Sequence, residues 1–229
     1  MQTRRLLALC GATIALSLML AANAFAAGTV VTVRVEGKSR TLLSTTTVHT
    51  HAGSITKGGA PAGSCPATSA AGALDVATRG RWNGSYSTQY HELSVTSILG
   101  ETWSFSQLNY YWSIWVDNRY APAGVCELKL HKGEQLLFAA VPDKGTEYPI
   151  VLSAPQHATT GHSFEVKASY LNGKGVAKPL AGASVKGAGA VTNRQGIVTI
   201  TPQRPGKLVL TSSRSGYIRS ARDTVSVSS

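Results

Sequence analysis

Apolar and polar residues alternate along most of this sequence, and a period of two is typical of β-strands with one buried face. Residues 31–36 place three valines on one face and Thr32, Arg34 and Glu36 on the other, which we expect to face solvent. The threonine-rich residues 41–50 have the β-branched bias of a partner strand. The sequence therefore predicts a β-hairpin here.

One segment has helical spacing instead. Pro66 suits the first position of a helix after a cap at Ser64 or Cys65, and Gly80 is suited to end it. Between them, small apolar residues recur on one face at Ala67, Ala70, Ala71, Leu74 and Ala77. Further strands are predicted at residues 93–98, 111–117, 125–130 and 135–141. One short helix across a mixed sheet predicts a mainly β protein whose first domain has the β-grasp arrangement.

Composition divides the chain near residue 142. All four tryptophans precede Pro142, and from Glu147 onward there are ten lysines and arginines against three acidic residues. The later part has short alternating runs separated by turns, and about seven such strands in roughly eighty residues predict an immunoglobulin-like β-sandwich. We therefore expect one domain at residues 27–141, a linker at 142–147 and a second domain at 148–229.

Residues 1–26 have the composition of a secretory signal peptide, with two arginines, an apolar run and a small-residue cleavage site. A membrane anchor is the less favoured alternative, and the arginine pair leaves the export route open. Cleavage removes Cys10 and leaves Cys65 and Cys126 in an oxidising compartment, where we expect a disulfide. The sequence predicts a protein that is secreted or associated with the cell surface, with no transmembrane segment after cleavage.

Aromatic residues concentrate at residues 108–118, although they make up only 7% of the chain. Alternation divides this strand into a core face and an opposite face. The core face has Trp112, Ile114 and Val116. The opposite face, joined by a neighbouring segment, is expected to form an open platform that binds a planar or sugar ring through Trp115, Tyr111, Trp103 and Phe105. The alternative is that Trp115 packs under a loop or under the second domain.

Several strings resemble the transcobalamin C-terminal-like domain, a β-grasp family of vitamin B12 carriers and bacterial secreted proteins. They are "SILGE" at residues 97–101, "YWSIWVDN" at 111–118 and "GVCELKLHKGEQLLF" at 124–138, with "TLL" from Thr41 and "ALDVAT" from Ala73. The resemblance covers roughly residues 30–141 and implies a non-catalytic ligand-binding domain. Cobalamin is a candidate ligand through this resemblance alone, because the carriers enclose it with a helical barrel that has no counterpart here.

The later strings "KPLAGASV", "VTNRQG" and "GYIRS" are similar to immunoglobulin-like or carboxypeptidase-regulatory-like modules of bacterial surface proteins. This resemblance implies a spacer.

Sequence signatures of common enzymes, such as G-x-S-x-G, a phosphate-binding loop and H-E-x-x-H, do not occur. We therefore expect no catalysis, and a secreted hydrolase with His91 or His131 as base is the least favoured alternative. His49 and His51 would share one face of a strand, but two imidazoles are too few for a metal site, so none is predicted. No cofactor is expected from the residues themselves.

The chain carries 22 lysines and arginines against 11 acidic residues, a net charge of +11. Because the basic residues are dispersed and the protein is expected to be exported, an anionic cell-wall polymer or membrane surface is favoured over nucleic acid. A basic domain without such a partner is an equal alternative. The leading prediction is a ligand-binding or adhesion protein for a small molecule or glycan, and the alternative is a structural surface component without a small ligand. The sequence does not predict an oligomeric state.

Overall fold

The computed structural model describes residues 28–105 and 108–229, so the predicted signal peptide and Cys10 lie outside the described residues. The described chain is mainly β, as predicted, with one α-helix. Its elements up to residue 142 are β1 (Val30–Glu36), β2 (Thr41–His49), a short 3₁₀ helix (Lys57–Gly59), α1 (Ala70–Thr78), β3 (Trp82–Ser87), β4 (Glu92–Ile98), β5 (Glu101–Thr102), β6 (Tyr110–Val116), β7 (Arg119–Tyr120) and β8 (Gln135–Pro142). The later elements are β9 (Tyr148–Ser153), β10 (His157–Thr159), β11 (Phe164–Leu171), β12 (Ala177–Pro179), β13 (Ser184–Lys186), β14 (Ala190–Val191), β15 (Ile197–Ile200), β16 (Gly206–Ser213), β17 (Tyr217–Ile218) and β18 (Asp223–Ser228).

The main sheet has five strands in the order β2, β1, β8, β6 and β7. β1 and β8 are parallel neighbours at its centre, with Val35 opposite Phe138, while the other pairs are antiparallel. A parallel pair needs a long crossover between its strands. The chain between them supplies α1 and a second sheet of β3, β4 and β5.

One face of the main sheet packs against α1 and the three-stranded sheet. Leu74 of α1 and Phe138 of β8 are both fully buried in this core. Trp112 and Ile114 of β6 lie in the same core, and Val116 packs against it. The core face predicted for this strand is therefore correct.

α1 starts four residues later than predicted, at Ala70 rather than Pro66. Pro66 instead forms an isolated bridge with Ser54, and the hydroxyl of Ser69 donates to the Pro66 carbonyl oxygen at 2.6 Å. These contacts hold the chain before the helix in a turn. The spacing of apolar residues along the sequence gives no sign of such contacts. The helix was predicted to end at Gly80, and it ends at Thr78, two residues earlier. Arg79 and Gly80 have left-handed φ values of 54° and 73°, as is common at the C-terminus of a helix.

Residues 125–130 were predicted as a strand, and the structure corrects this: they lie beside the first turn of α1 without strand structure. The amide groups of a first helical turn have no partner within the helix. Here Ala71 donates to the carbonyl oxygen of Val125 at 2.9 Å, and Ala70 donates to that of Leu128 at 3.1 Å. The segment therefore caps the helix with backbone carbonyls.

The predicted disulfide is confirmed between Cys65 and Cys126, whose Cα atoms lie 4.6 Å apart across 61 residues of sequence. Cys65 precedes the helix and Cys126 lies in the capping segment. The bond therefore ties the capping segment to the helix start covalently.

The later strands form two sheets that pack face to face. One contains β10, β18, β16, β13 and β14, and the other contains β12, β11, β9 and β17, with β15 beside β11. Val166 and Val198 of one sheet meet Leu210 and Val225 of the other in a buried cluster. Residues 143–147, within the expected linker, connect β8 to β9 without regular structure.

The second face of the main sheet is covered by the later strands. Trp115 and Leu137 of the main sheet form a buried cluster with Ile218 of β17. Arg34 and Glu36, which the sequence predicted to face solvent, are only 6% and 1% exposed. That prediction was wrong because the two residues form an ion pair where the later strands pack against the sheet. In the sequence, such a buried pair gives the same alternation of apolar and charged residues as a strand face in water.

Candidate functional site

A cleft of about 560 Å³ opens where the main sheet meets the later strands. It lies between β6 and β7, the 143–148 connection and the 172–175 turn. We call it the aromatic cleft because four rings line it: Tyr111, Trp115, Tyr120 and Tyr148. It brings together two of the four residues predicted to bind a ligand, Tyr111 and Trp115.

Trp115 forms the floor of the aromatic cleft and is only 3% exposed. Its indole N–H donates to the hydroxyl of Ser113 at 2.8 Å, and that hydroxyl donates to the carbonyl oxygen of Ala139 at 3.0 Å. Ile218 and Tyr148 cover the ring from the later strands. The open position expected for Trp115 is therefore wrong, and the ring packs under the later strands as in the alternative.

Tyr120 is the exposed ring of the aromatic cleft. Asp117 and Asn118 both have left-handed backbones, with φ values of 48° and 61°, which suit a two-residue hairpin turn. The turn pairs Trp115 with Tyr120 across β6 and β7, and their ring centroids lie 5.4 Å apart at an edge-to-face angle. Tyr120 is 50% exposed, so its ring is accessible at the mouth of the cleft.

Tyr111 lies on the same face of β6 as Trp115 and is partly buried. Burial raises the pKa of its phenol to about 12, and the nearby hydroxyl of Tyr120 contributes to the rise. The neutral phenol is therefore strongly favoured, and it remains able to donate a hydrogen bond across a wide pH range.

Polar side chains surround the rings. Arg119 lies at the end of β7, and its guanidinium is close to Gly175, where a Cβ atom would lie 3.5 Å from it. The side chain of Asn172 holds the same 172–175 turn in shape, because its oxygen accepts hydrogen bonds from the backbone N–H groups of Lys174 and Val176, both at 3.0 Å. Glu147 also lines the cleft, and burial raises the pKa of its carboxyl group. The cleft thus combines apolar ring faces with charged and amide groups.

Phe105 lies outside the aromatic cleft, in a neighbouring groove of about 420 Å³. Its ring is 64% exposed and contacts Tyr111 edge-on, with centroids 5.7 Å apart. Tyr111, Tyr120 and Pro122 line both the groove and the cleft. Phe105 is therefore adjacent to the site without lining it.

Trp103 lies elsewhere. Its indole N–H donates to Glu101 at 2.6 Å, and its ring centroid is 5.0 Å from that of Tyr110. Tyr110 is on the opposite face of β6 from Tyr111. The structure therefore does not bring Trp103 together with the other three predicted residues.

Two lining rings were missed by the sequence analysis. Tyr120 could have been found, because the Asp117 and Asn118 turn places it opposite Trp115. Tyr148 has no comparable local signal, because its position depends on how the later strands pack against the main sheet.

The histidines considered for catalysis or metal binding lie outside the aromatic cleft. The sequence predicted that His49 and His51 share one face of a strand. β2 ends at His49, so His51 lies beyond the strand and this prediction was wrong. His131 is on the surface, 2.9 Å from the carboxylate of Glu134, and His91 is exposed in a left-handed turn. Within the described ranges, no group of three or more histidine, cysteine or acidic side chains is placed to hold a metal ion.

No model of a known protein family matches the sequence, and none of the curated proteins compared with it is significantly similar. In the part of the chain that the structure describes, no helix is long and apolar enough to cross a membrane. The resemblance to transcobalamin-like domains stays a prediction.

Proposed function

We propose that the protein is a secreted or surface-associated, non-enzymatic binding protein. The aromatic cleft takes a planar or sugar ring of a small molecule or glycan. The observation that carries this proposal is the convergence of Tyr111, Tyr120 and Tyr148 over a buried Trp115 in an open cleft with charged and amide groups at its rim. A volume of about 560 Å³ suits a ligand of one or a few rings.

The mode of binding follows from the exposure of each ring. Trp115 is too buried to be a stacking surface, so it supports the other rings from below. Tyr120 offers an exposed face on which a flat ring or the C–H face of a sugar packs. Arg119, Asn118 and Lys174 are near enough to the same space to orient polar substituents of the ligand.

The proposal extends to the fold of each part. The central parallel strands β1 and β8 under a single helix support a β-grasp domain. The two facing sheets of the later strands support an immunoglobulin-like spacer. The disulfide between Cys65 and Cys126 supports an oxidising compartment outside the cytoplasm.

A second candidate is a structural surface component without a small ligand. The buried contact between the main sheet and the later strands favours it, because Trp115, Leu137 and Ile218 join the two parts as a packed unit. A rigid unit of this kind suits a load-bearing or spacing role as well as a binding role.

The test is a thermal-shift screen of the purified mature chain against monosaccharides, oligosaccharides and planar aromatic compounds, followed by calorimetry on each compound that stabilises it. Tyr120→Ala should weaken binding about tenfold or more, as expected for a central aromatic contact. Tyr90→Ala is the matched control, because this tyrosine is 68% exposed and lies outside the cleft. Equal affinities of the two variants would reject the cleft as the site, and a screen without any stabilising compound would favour the structural role.

A further inference from the structure

A second cleft, of about 450 Å³, lies between the main sheet and the 213–217 turn. Glu147 lines both this cleft and the aromatic cleft, so the two lie on either side of the chain that leads into β9. We call the second one the basic cleft. Its charged and aromatic lining residues are Lys38, Tyr110, Glu147, Arg214, Tyr217 and Arg219.

Two cations of the basic cleft are held over aromatic rings, one from each part of the chain. The ammonium of Lys38 lies 4.4 Å from the ring centroid of Tyr110 and 5.4 Å from that of Trp103. The guanidinium carbon of Arg214 lies 5.4 Å from the ring centroid of Tyr217. A ring orients a cation without cancelling its charge, since the ring has no net charge.

The nearby carboxylates are engaged with other groups. Within the described residues, neither Lys38 nor Arg214 forms an ion pair with a carboxylate. Oε1 of Glu101 accepts both the backbone N–H of Lys38 and the indole N–H of Trp103, each at 2.6 Å, and Glu101 does not line the cleft. Burial raises the pKa of Glu147, which reduces its tendency to carry a negative charge in the cleft.

Three charges at the base of the basic cleft add to its positive potential: Arg34 and Glu36 are buried, and Arg219, which lines the cleft, is partly exposed. Arg34 and Arg219 share the single carboxylate of Glu36. This group of three carries one net positive charge, because two guanidinium groups meet one carboxylate. Potentials of like sign add at the surface of the cleft.

We infer that the basic cleft binds the oxyanions of an acidic glycan, with a carboxylate or phosphate group held between Lys38 and Arg214. The partly exposed rings of Tyr110 and Tyr217 offer apolar faces to the sugar or polyol units between the charges. This site goes beyond the ring-binding role of the aromatic cleft and does not depend on it. The basic cleft would then be the place on the surface where the anionic polymer favoured by the net charge binds.

The test measures binding of the mature chain to two labelled probes at low ionic strength by fluorescence anisotropy. Polygalacturonate presents carboxylates, and poly(glycerol phosphate) presents phosphates, so the two arms identify the source of the oxyanion. The site variant is Lys38→Gln with Arg214→Gln. The matched control is Lys178→Gln with Lys186→Gln, which removes the same charge from exposed lysines of β12 and β13 outside both clefts.

The site variant should bind the preferred probe about tenfold more weakly or worse, and the control should lose less than about threefold, because specific charge-assisted contacts contribute more than diffuse charge. Circular dichroism and the melting temperature must show that both variants are folded. Equal losses in the two variants would mean diffuse attraction and would overturn the inference. A labelled single-stranded oligonucleotide is measured in the same way as a third probe. The inference would also be overturned if the wild-type chain bound neither acidic glycan probe, or bound only the oligonucleotide.

Discussion

The guanidinium of Arg219 donates from Nε to the carboxylate of Glu36 at 2.9 Å and joins residues 183 positions apart in the chain. Arg34 donates to the same carboxylate at 2.7 Å and to the backbone carbonyl of Arg219 at 2.8 Å. Thr41 donates to it as well, at 3.0 Å. The buried carboxylate is therefore fully hydrogen-bonded, and it fixes how the later strands sit against β1.

Glu36→Gln should lower the free energy of unfolding by about 3–5 kcal/mol, because it leaves the buried guanidinium of Arg34 without its countercharge and removes the ion pair with the partly exposed Arg219. Urea denaturation followed by tryptophan fluorescence measures the change. Glu165→Gln is the matched control, since Glu165 is exposed on β11, and its effect should be within about 0.5 kcal/mol. A loss below about 1 kcal/mol for Glu36→Gln would show that water reaches the carboxylate.

Sequence periodicity predicted several strands correctly, because each of them buries one face in the core between the main sheet and α1 and therefore has apolar residues at every second position. In β6 it separated Trp112 from Trp115 onto opposite faces, which follows from the pleat alone. It could not say what covers the second face. Trp115 was expected to be open, and Glu36 was expected to be in water. Ile218 and Tyr148 cover Trp115, and Arg219 covers Glu36. All three covering residues belong to the later part of the chain, which no local pattern around Trp115 or Glu36 records.

The predictions of the helix start and of a strand at residues 125–130 were wrong for a related reason. Pro66 is suited to a first helical position, but a bridge to Ser54 holds it in a turn. Val125 and Leu128 looked like strand residues because they are apolar and β-prone, yet their carbonyl oxygens accept helix amides. In each case a tertiary contact outweighed a local propensity of less than about 1 kcal/mol per residue.

Removing the disulfide should lower the free energy of unfolding by about 2–5 kcal/mol, because the bond closes a long loop and secures the capping segment of α1. Cys65→Ala with Cys126→Ala tests this in urea. The wild type should lose stability when a reductant is added, and the double variant should not respond to it. A reductant effect on the double variant would point to a cause other than this bond.

Gly72→Ala should destabilise the protein, although alanine normally improves a helix interior by about 1 kcal/mol relative to glycine. A Cβ atom at Gly72 would lie 1.8 Å from the carbonyl oxygen of Ala67, so the backbone before the helix would have to move. Ala77→Gly in the same helix is the control and should also lose stability, through propensity alone. A rise in melting temperature for Gly72→Ala would show that the chain before α1 yields easily.

Tyr111 should be a late-titrating tyrosine. Burial raises the pKa of its phenol from 10.0 to about 12, and the nearby Tyr120 hydroxyl adds to the shift. Below pH 10 the phenol is protonated in the folded and unfolded chains, so it contributes no pH dependence there. Between pH 10 and about 12 the unfolded chain loses the proton first, and the stability due to the neutral phenol falls as the pH rises.

Ultraviolet difference absorbance at alkaline pH measures this titration directly. Burial and the hydroxyl of Tyr170 also raise the pKa of Tyr217, so the wild-type curve contains more than one late component. Tyr111→Phe should remove the component near pH 12 and leave the rest of the curve unchanged. Tyr120→Phe should keep that component but move it towards lower pH, because the neighbouring hydroxyl is gone while the burial of Tyr111 remains. If the curve of Tyr111→Phe matches that of the wild type near pH 12, the late step belongs to another tyrosine, and the burial of the Tyr111 phenol in the aromatic cleft is contradicted.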